Sequence, residues 1–115
     1  MQRLVDTFAG GNIEAVVAEN YVDHQARSET TSGRAGFGRM VAELRTAFPD
    51  LRIQIEDIIV DGDRAVARLR WQGTFLGDFW GKPPTGARIE VESIEIVRFV
   101  GGLAVEHWGL SQGWP

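Results

Sequence analysis

The stretch "LRIQIEDIIVDGDRAVARLRWQGTF", Leu51–Phe75, decides the fold. Its apolar residues alternate at Leu51, Ile53 and Ile55, falter at Glu56-Asp57, and resume beyond Asp61-Gly62-Asp63. A period of two marks a strand with one face buried, and a short Asp/Gly cluster between two such runs marks a tight turn. The stretch therefore reads as a hairpin of two long strands, with a bulge near Glu56 where the alternation slips.

Working outward, "GDFWGKPPTGA" (77–87) is a Gly/Pro loop, and "RIEVESIEIVRF" (88–99) alternates again until Gly101-Gly102 turns it into "LAVEHWGLS" (103–111). Upstream the period lengthens. Phe37, Met40, Val41, Leu44 and Phe48 recur at three and four residues, an amphipathic helix ended by Pro49. Before it, "DHQARSETTSGRAG" (23–36) is polar and reads as a surface loop. At the N-terminus, Leu4, Val5 and Phe8 share a helical face, Gly10-Gly11 breaks the pattern, and Asn12 offers an N-cap for a second short helix over "IEAVVAENY" (13–21). Three helices followed by four strands predict an α+β architecture, with helices packed on a mostly antiparallel sheet.

At 115 residues the chain has room for one core, so residues 1–115 are read as a single domain. Its 43% hydrophobic and 24% charged residues match an ordinary globular mixture rather than a disordered one. The net charge of −4, with the basic residues scattered, offers no footprint for nucleic acid. The absence of cysteine removes disulfides, thiolate nucleophiles and common structural zinc sites, and two histidines give little for a metal. No signal-peptide pattern opens the sequence and no apolar run approaches the roughly 20 residues of a membrane span, so the expectation is a cytoplasmic protein without a membrane partner.

Several local motifs occur together: Tyr21-x-Asp23-His24, Phe48-Pro49-Asp50-Leu51 at the helix-to-strand junction, Gly73-Thr74 in mid-sheet, Pro83-Pro84-Thr85-Gly86, and the closing Glu106-His107-Trp108. In this order, from about Leu4 to Gly109, the sequence resembles the SnoaL-like polyketide cyclases of the nuclear transport factor 2-like superfamily. The resemblance implies a cone-shaped fold in which a curved antiparallel sheet wraps three N-terminal helices around a deep apolar pocket. It also implies a homodimer formed through the outer sheet face, and a small-molecule, polyketide-like substrate of some size. Members include cofactor-free cyclases that close a ring by intramolecular aldol condensation. Relatives on the same fold are double-bond isomerases, epoxide-opening enzymes, cycloaddition catalysts and binding modules, so the fold alone does not choose among them.

Three residues are candidates for chemistry. His24, just after the second predicted helix, could exchange a proton with a substrate near neutral pH, or pin the loop with Asp23. His107 lies on the last strand, where alternation puts it with Gly109 and Ser111 on one face and Glu106 and Trp108 on the other. Glu95 is in phase with Ser93 and Val97; if its face is the inner one, it could accept a carbon-bound proton, its pKa raised by desolvation. If the outer, it pairs with an arginine across strands. Candidates for substrate binding are Tyr21, the aromatics Phe75, Phe79, Trp80 and Trp108, and Arg68, which could hold a carboxylate or an enolate oxygen. Arg68 and Arg70 could equally be solvated partners of Glu90 and Glu92. Asp57 and Asp23 are further carboxylates that an isomerase or epoxide hydrolase could employ.

Two positions depart from the family pattern. Relatives commonly have Gly-Thr-His where this chain has Gly73-Thr74-Phe75, and the cyclases usually carry a general acid/base aspartate shortly after the final Trp, where this chain has Gly109, Leu110, Ser111 and Gln112. The functional expectation is a cyclase for a polyketide-like intermediate, working without metal or cofactor, by aldol chemistry if Glu95 or His107 replaces the aspartate and by shape-driven closure otherwise. The alternatives are an isomerase or epoxide-opening hydrolase, and a ligand-binding module without turnover.

Overall fold

In the computed structural model, which describes residues 1–25 and 32–115, the Leu51–Phe75 stretch forms the expected hairpin. Strand β2 (Arg52–Asp61) pairs antiparallel with β3 (Arg64–Thr74), and the register slips between Ile55 and Asp57, where the alternation falters. β4 (Arg88–Val100) and β5 (Leu103–Gln112) extend the sheet antiparallel, joined by the Gly101-Gly102 turn, in which both glycines have positive φ (59° and 82°) that side-chain-bearing residues rarely adopt.

The N-terminal third differs from the expectation. The second predicted helix shrinks to one 3-10 turn, Ile13–Ala15, whose N-cap Asn12 accepts from the Glu14 backbone N–H at 3.1 Å. The residues after it form strand β1 (Val17–Asp23), which pairs parallel with β5, completing a five-stranded sheet in the order β1-β5-β4-β3-β2. The cap was legible, but the consecutive Val16-Val17 favours a pleated strand, and pairing with a β5 edge 80-odd residues away outweighs local helix propensity. Among the described residues two α-helices remain: α1 (Gln2–Asp6), continued by a 3-10 turn to Ala9, and α2 (Gly33–Ala47), which starts earlier than the hydrophobic repeat suggested. Of the 23–36 loop expectation, residues 26–31 lie outside the described residues, and 33–36 are the first turn of α2.

Both helices pack on the inner face of the sheet. Leu4, Val5, Phe37, Val41, Leu44 and Phe48 of the helical layer meet Ala67, Leu69, Trp71, Val91 and Val97 of the strands. Burial alternates strictly along β3, with Ala65, Ala67, Leu69 and Trp71 inward and Arg64 and Arg68 outward. This fixes the phase of every neighbour through the register. Leu69 faces Ser93, Ser93 faces Ser111, Glu95 faces Gly109, and Val97 faces His107, so these residues share the inner face.

Candidate functional site

Between the helices and the inner face of β4 and β5 lies a cavity of about 280 Å³. Its walls are mainly apolar, from α1, α2 and β3, and its polar groups concentrate along one side: Asp23, Gln25, Ser93, Glu95, His107 and Ser111. The pattern of an apolar enclosure with a few convergent polar groups is that of a small-molecule site.

Three of those groups form one hydrogen-bonded chain. The parallel β1/β5 pairing sets Asp23 directly opposite His107, and Asp23 Oδ1 accepts from His107 Nδ1 at 2.9 Å. The same oxygen accepts from the Gln25 backbone N–H at 2.8 Å, which fixes the carboxylate's orientation. On the far side of the ring, His107 Nε2 stands 3.3 Å from both oxygens of Glu95. Side-chain exposure is 9% for Asp23, 15% for His107 and 13% for Glu95, so solvent screens the cluster weakly.

Burial of the imidazole opposes its cationic form, but the hydrogen bonds to Asp23 and Glu95 and the charges of the two carboxylates outweigh it, and the His107 pKa is pushed up to about 9. At neutral pH the ring is an imidazolium with both N–H groups donating. Tyr21, 3% exposed, lines the cavity beside this cluster. Burial first, then the charges of Asp23 and Glu95, push its phenol well above the ordinary tyrosine value, so it stays protonated as a potential donor. The two carboxylates face different nitrogens on opposite sides of the ring and cannot converge on one ion; among the described residues no His/Asp/Glu group is arranged to hold a metal.

Gly109 is part of the arrangement. A Cβ there would stand 2.7 Å from both Glu95 oxygens and 2.8 Å from Gln25 Oε1, so the absent side chain is the space the Glu95 carboxylate occupies.

Of the residues singled out from sequence, Glu95, His107, Asp23, Tyr21 and Trp80 line the cavity. Trp80, at its rim, donates its indole N–H to Glu43 at 2.7 Å. The others lie elsewhere. His24, with a side chain 41% exposed, is on the outside of β5, stacked on Trp108 with ring centroids 4.8 Å apart and bonded to Glu106 at 2.8 Å. Trp108 belongs to that outer cluster, with the Arg64 guanidinium 5.2 Å from its ring, and does not face the cavity. Glu106 is held below the ordinary carboxylate range by Arg98 and then by His24. Arg68 is exposed on the outer sheet face, and its neighbour Arg70 pairs with Glu56 and Glu90 at 2.8 and 3.0 Å, the solvated role. Asp57 is exposed at the bulge, bonded to the Ile58 N–H. Phe75 and Phe79 are 3% exposed and pack around Phe48 as core, with centroids 5.6 and 5.3 Å from it.

The sequence reading missed Gln25 and the indole–serine pairs described below. Gln25 carries no local signal, since its place depends on the β1/β5 pairing.

Comparison with known proteins agrees with the geometry: the family model for SnoaL-like polyketide cyclases matches residues 1–114. The chain belongs to the SnoaL-like polyketide cyclase family. Among solved structures, TsrD from Streptomyces laurentii is similar at 25% identity, covering 97% of this chain and 84% of its own, with a TM-score of 0.86. IdmH from Streptomyces antibioticus, a candidate polyketide cyclase, is similar at 28% identity over 96% of this chain and 88% of its own, with a TM-score of 0.79. A candidate polyketide cyclase from Acidithiobacillus ferrooxidans is similar at 29% identity over 96% of this chain and 83% of its own, with a TM-score of 0.78. No curated protein matches the chain in sequence. Within this SnoaL-like protein, the β5 positions after Trp108 carry no carboxylate, whereas β4 presents Glu95 across the sheet into the space left by Gly109.

Proposed function

We propose that this SnoaL-like protein closes a ring in a polyketide-like intermediate by intramolecular aldol chemistry, with Glu95 and His107 as the proton-transferring pair and Asp23 positioning the imidazole. The observation that carries the reading is the Asp23–His107–Glu95 chain inside the cavity. A carboxylate and an imidazolium in contact supply a base and an acid at once, which proton abstraction followed by carbonyl attack requires.

The Glu95 carboxylate takes a proton from the carbon between two carbonyls, and the resulting enolate carbon attacks a second carbonyl carbon of the same chain. His107 Nε2–H protonates the oxygen that becomes alkoxide. Glu95 then returns the carbon-derived proton to His107 across their 3.3 Å contact, and both groups regain their starting states. That contact is long for a charge-assisted hydrogen bond, so the imidazolium can exchange it for a substrate oxygen at low cost. No cofactor enters the scheme.

The pair also weighs against a purely shape-driven closure or a binding module, neither of which needs a weakly screened acid/base pair in the cavity. An isomerase would use the same two residues, and product mass does not separate it from a cyclase; loss of one carbonyl carbon signal and gain of a new ring carbon–carbon bond in the NMR spectrum does.

The outer sheet face supports a homodimer in this reading. Ile94 and Leu110, directly paired across β4 and β5, are 47% and 79% exposed, beside Trp108 and Ile96. The test of function is incubation with linear polyketides, followed by chromatography for a product of unchanged or water-depleted mass, and by NMR for α-proton exchange in D2O. A protein that yields no cyclic product from any linear polyketide and exchanges no α-proton does not perform this reaction.

A further inference from the structure

The cavity holds a second polar feature that the proton-transfer scheme leaves unused. Ser93 and Ser111 stand opposite each other across β4 and β5, both on the cavity wall. Directly paired side chains of an antiparallel sheet have Cβ atoms about 4.5–5.5 Å apart, so two hydroxyls there can reach one acceptor. Each serine oxygen accepts an indole N–H: Trp71 Nε1 donates to Ser93 Oγ at 2.8 Å, and Trp114 Nε1 donates to Ser111 Oγ at 3.1 Å. The two indoles pack edge to face, 5.4 Å between ring centroids.

An indole N–H is a donor only, so its bond occupies an acceptor position on the hydroxyl and leaves the hydroxyl proton to donate elsewhere. Among the described residues, neither serine proton has a protein acceptor. Ser93 is 3% exposed, where an unused donor is costly. The indole bonds also polarise the hydroxyls, making them better donors.

Register places this pair one step from the proton-transferring residues. Along β4, Glu95 follows Ser93 by two residues on the same face, about 6.5 Å along the strand. That distance matches a hydrogen bond from a serine to a carbonyl oxygen, the two bonds from that oxygen to its α carbon, and close contact of the α proton with Glu95.

We propose that the hydroxyls of Ser93 and Ser111 receive a carbonyl oxygen of the ligand and hold it as it becomes an enolate oxygen. The ligand class is a neutral ketone or 1,3-dicarbonyl whose acidic carbon then faces Glu95. The proposal rests on the aldol reading for its catalytic meaning, but the carbonyl site itself can be examined without turnover.

The test compares the binding of 1-tetralone with that of tetralin, the same bicycle without its oxygen, by tryptophan fluorescence. Infrared spectra of 13C-carbonyl tetralone supply a second readout. The ketone should bind roughly tenfold tighter than the hydrocarbon, as expected for two neutral hydrogen bonds, and its carbonyl stretch should fall below the value in water. Ser111→Ala and Ser93→Ala should each reduce the preference and raise the stretch, with little effect on tetralin. If Ser93→Ala, which leaves the Trp71 indole without its partner, does not fold, Ser111→Ala and the infrared shift decide. Glu95→Gln should abolish turnover yet keep the ketone preference, which separates failure of the aldol reading from failure of this one. Tetralone binding no tighter than tetralin, including no detectable binding of either, or a preference that survives serine replacement, overturns the proposal.

Discussion

Replacing Gly109 by alanine isolates the proposed acid/base pair, Glu95 and His107, without touching either member. The new Cβ would stand 2.7 Å from both Glu95 oxygens, where ordinary contact begins near 3.4 Å, so the carboxylate must retreat by about 0.7 Å. Gln25 Oε1, at 2.8 Å from the same point, must also yield. A displacement of that size away from Gly109 disturbs the carboxylate's symmetric contact with His107, 3.3 Å from each oxygen. A misplacement approaching 1 Å at a reacting group costs on the order of 100-fold in rate, or about 3 kcal/mol of barrier. The fold should hardly notice. The obstructing atoms are the far end of a flexible side chain, and alanine suits a strand no worse than glycine, so stability should change by less than about 1 kcal/mol.

The assay pairs turnover of a cyclisable substrate with urea unfolding and an NMR titration of the His107 ring. The expected result is activity reduced roughly 100-fold, a His107 pKa that falls from about 9 because one of its two carboxylate partners has shifted, and an unfolding midpoint that drops at neutral pH only by what that fall accounts for and is unchanged at pH 10, where the ring is largely neutral. A Gly109→Ala protein with full activity and an unaltered His107 titration would refute the claim that Glu95 acts from the space beside Gly109.

Other outcomes follow from the same geometry. The His107 pKa is raised on folding, from 6.5 to about 9, so the folded state binds the extra proton between those values. Its contribution, up to about 3 kcal/mol, is complete below pH 6.5 and lost as pH rises through 9; urea unfolding at pH 6 and pH 10 should show the decline, and His107→Gln should flatten it. Asp23→Asn should lower the His107 pKa and shift the alkaline limb of the kcat/KM profile to lower pH; a profile unchanged from wild type contradicts the positioning role of Asp23. Phe48→Ala, at the centre of the ring cluster with Phe75, Phe79 and Trp114, should cost about 3–5 kcal/mol in chemical denaturation, whereas a cost under 1 kcal/mol would mean that the cluster is not a core. Leu110→Asp on the outer face should convert a dimer to a monomer in sedimentation velocity while leaving cavity binding intact; a monomeric wild-type protein would remove the proposed interface.

What could be read from sequence divides by the distance over which each feature is decided. The β2–β3 hairpin, its bulge and the Gly101-Gly102 turn are set by neighbours, so alternation and turn chemistry sufficed. β1 is set by a partner strand about 85 residues away, and its Val-Val-Ala run fits a weak helix as well as a strand; only the pairing with β5 chooses. The same pairing brings Asp23 to His107, which is why Asp23 appeared in the sequence as one loose carboxylate among several. His24, its neighbour in the motif, is the more attractive candidate by residue type but faces the other way, because its backbone N–H still bonds His107 O one residue past the end of β1 and the strand's alternation of faces carries on to it. Arg68, Trp108 and Glu106 fall outside the cavity for the same reason.

The phase of β4 shows how one register argument orders the site. Ala67 and Leu69 are buried, their partners are Glu95 and Ser93, and those in turn face Gly109 and Ser111. A single inner row on β4 thus carries a hydroxyl and then a carboxylate, and the inner row on β5 carries a hydroxyl, an empty position and then an imidazole. A carboxylate on β5 at position 109 would collide with Glu95, and an alanine already crowds it. The two strands therefore admit one carboxylate between them at this level, from either side. A Glu95→Gly, Gly109→Asp double variant should place the acid on β5 and recover part of the activity that Glu95→Gly alone loses, while Gly109→Asp alone, with two carboxylates in the space of one, should be both inactive and less stable. Recovery absent from the double variant, at normal stability, would mean that the strand supplying the carboxylate matters as much as the carboxylate itself.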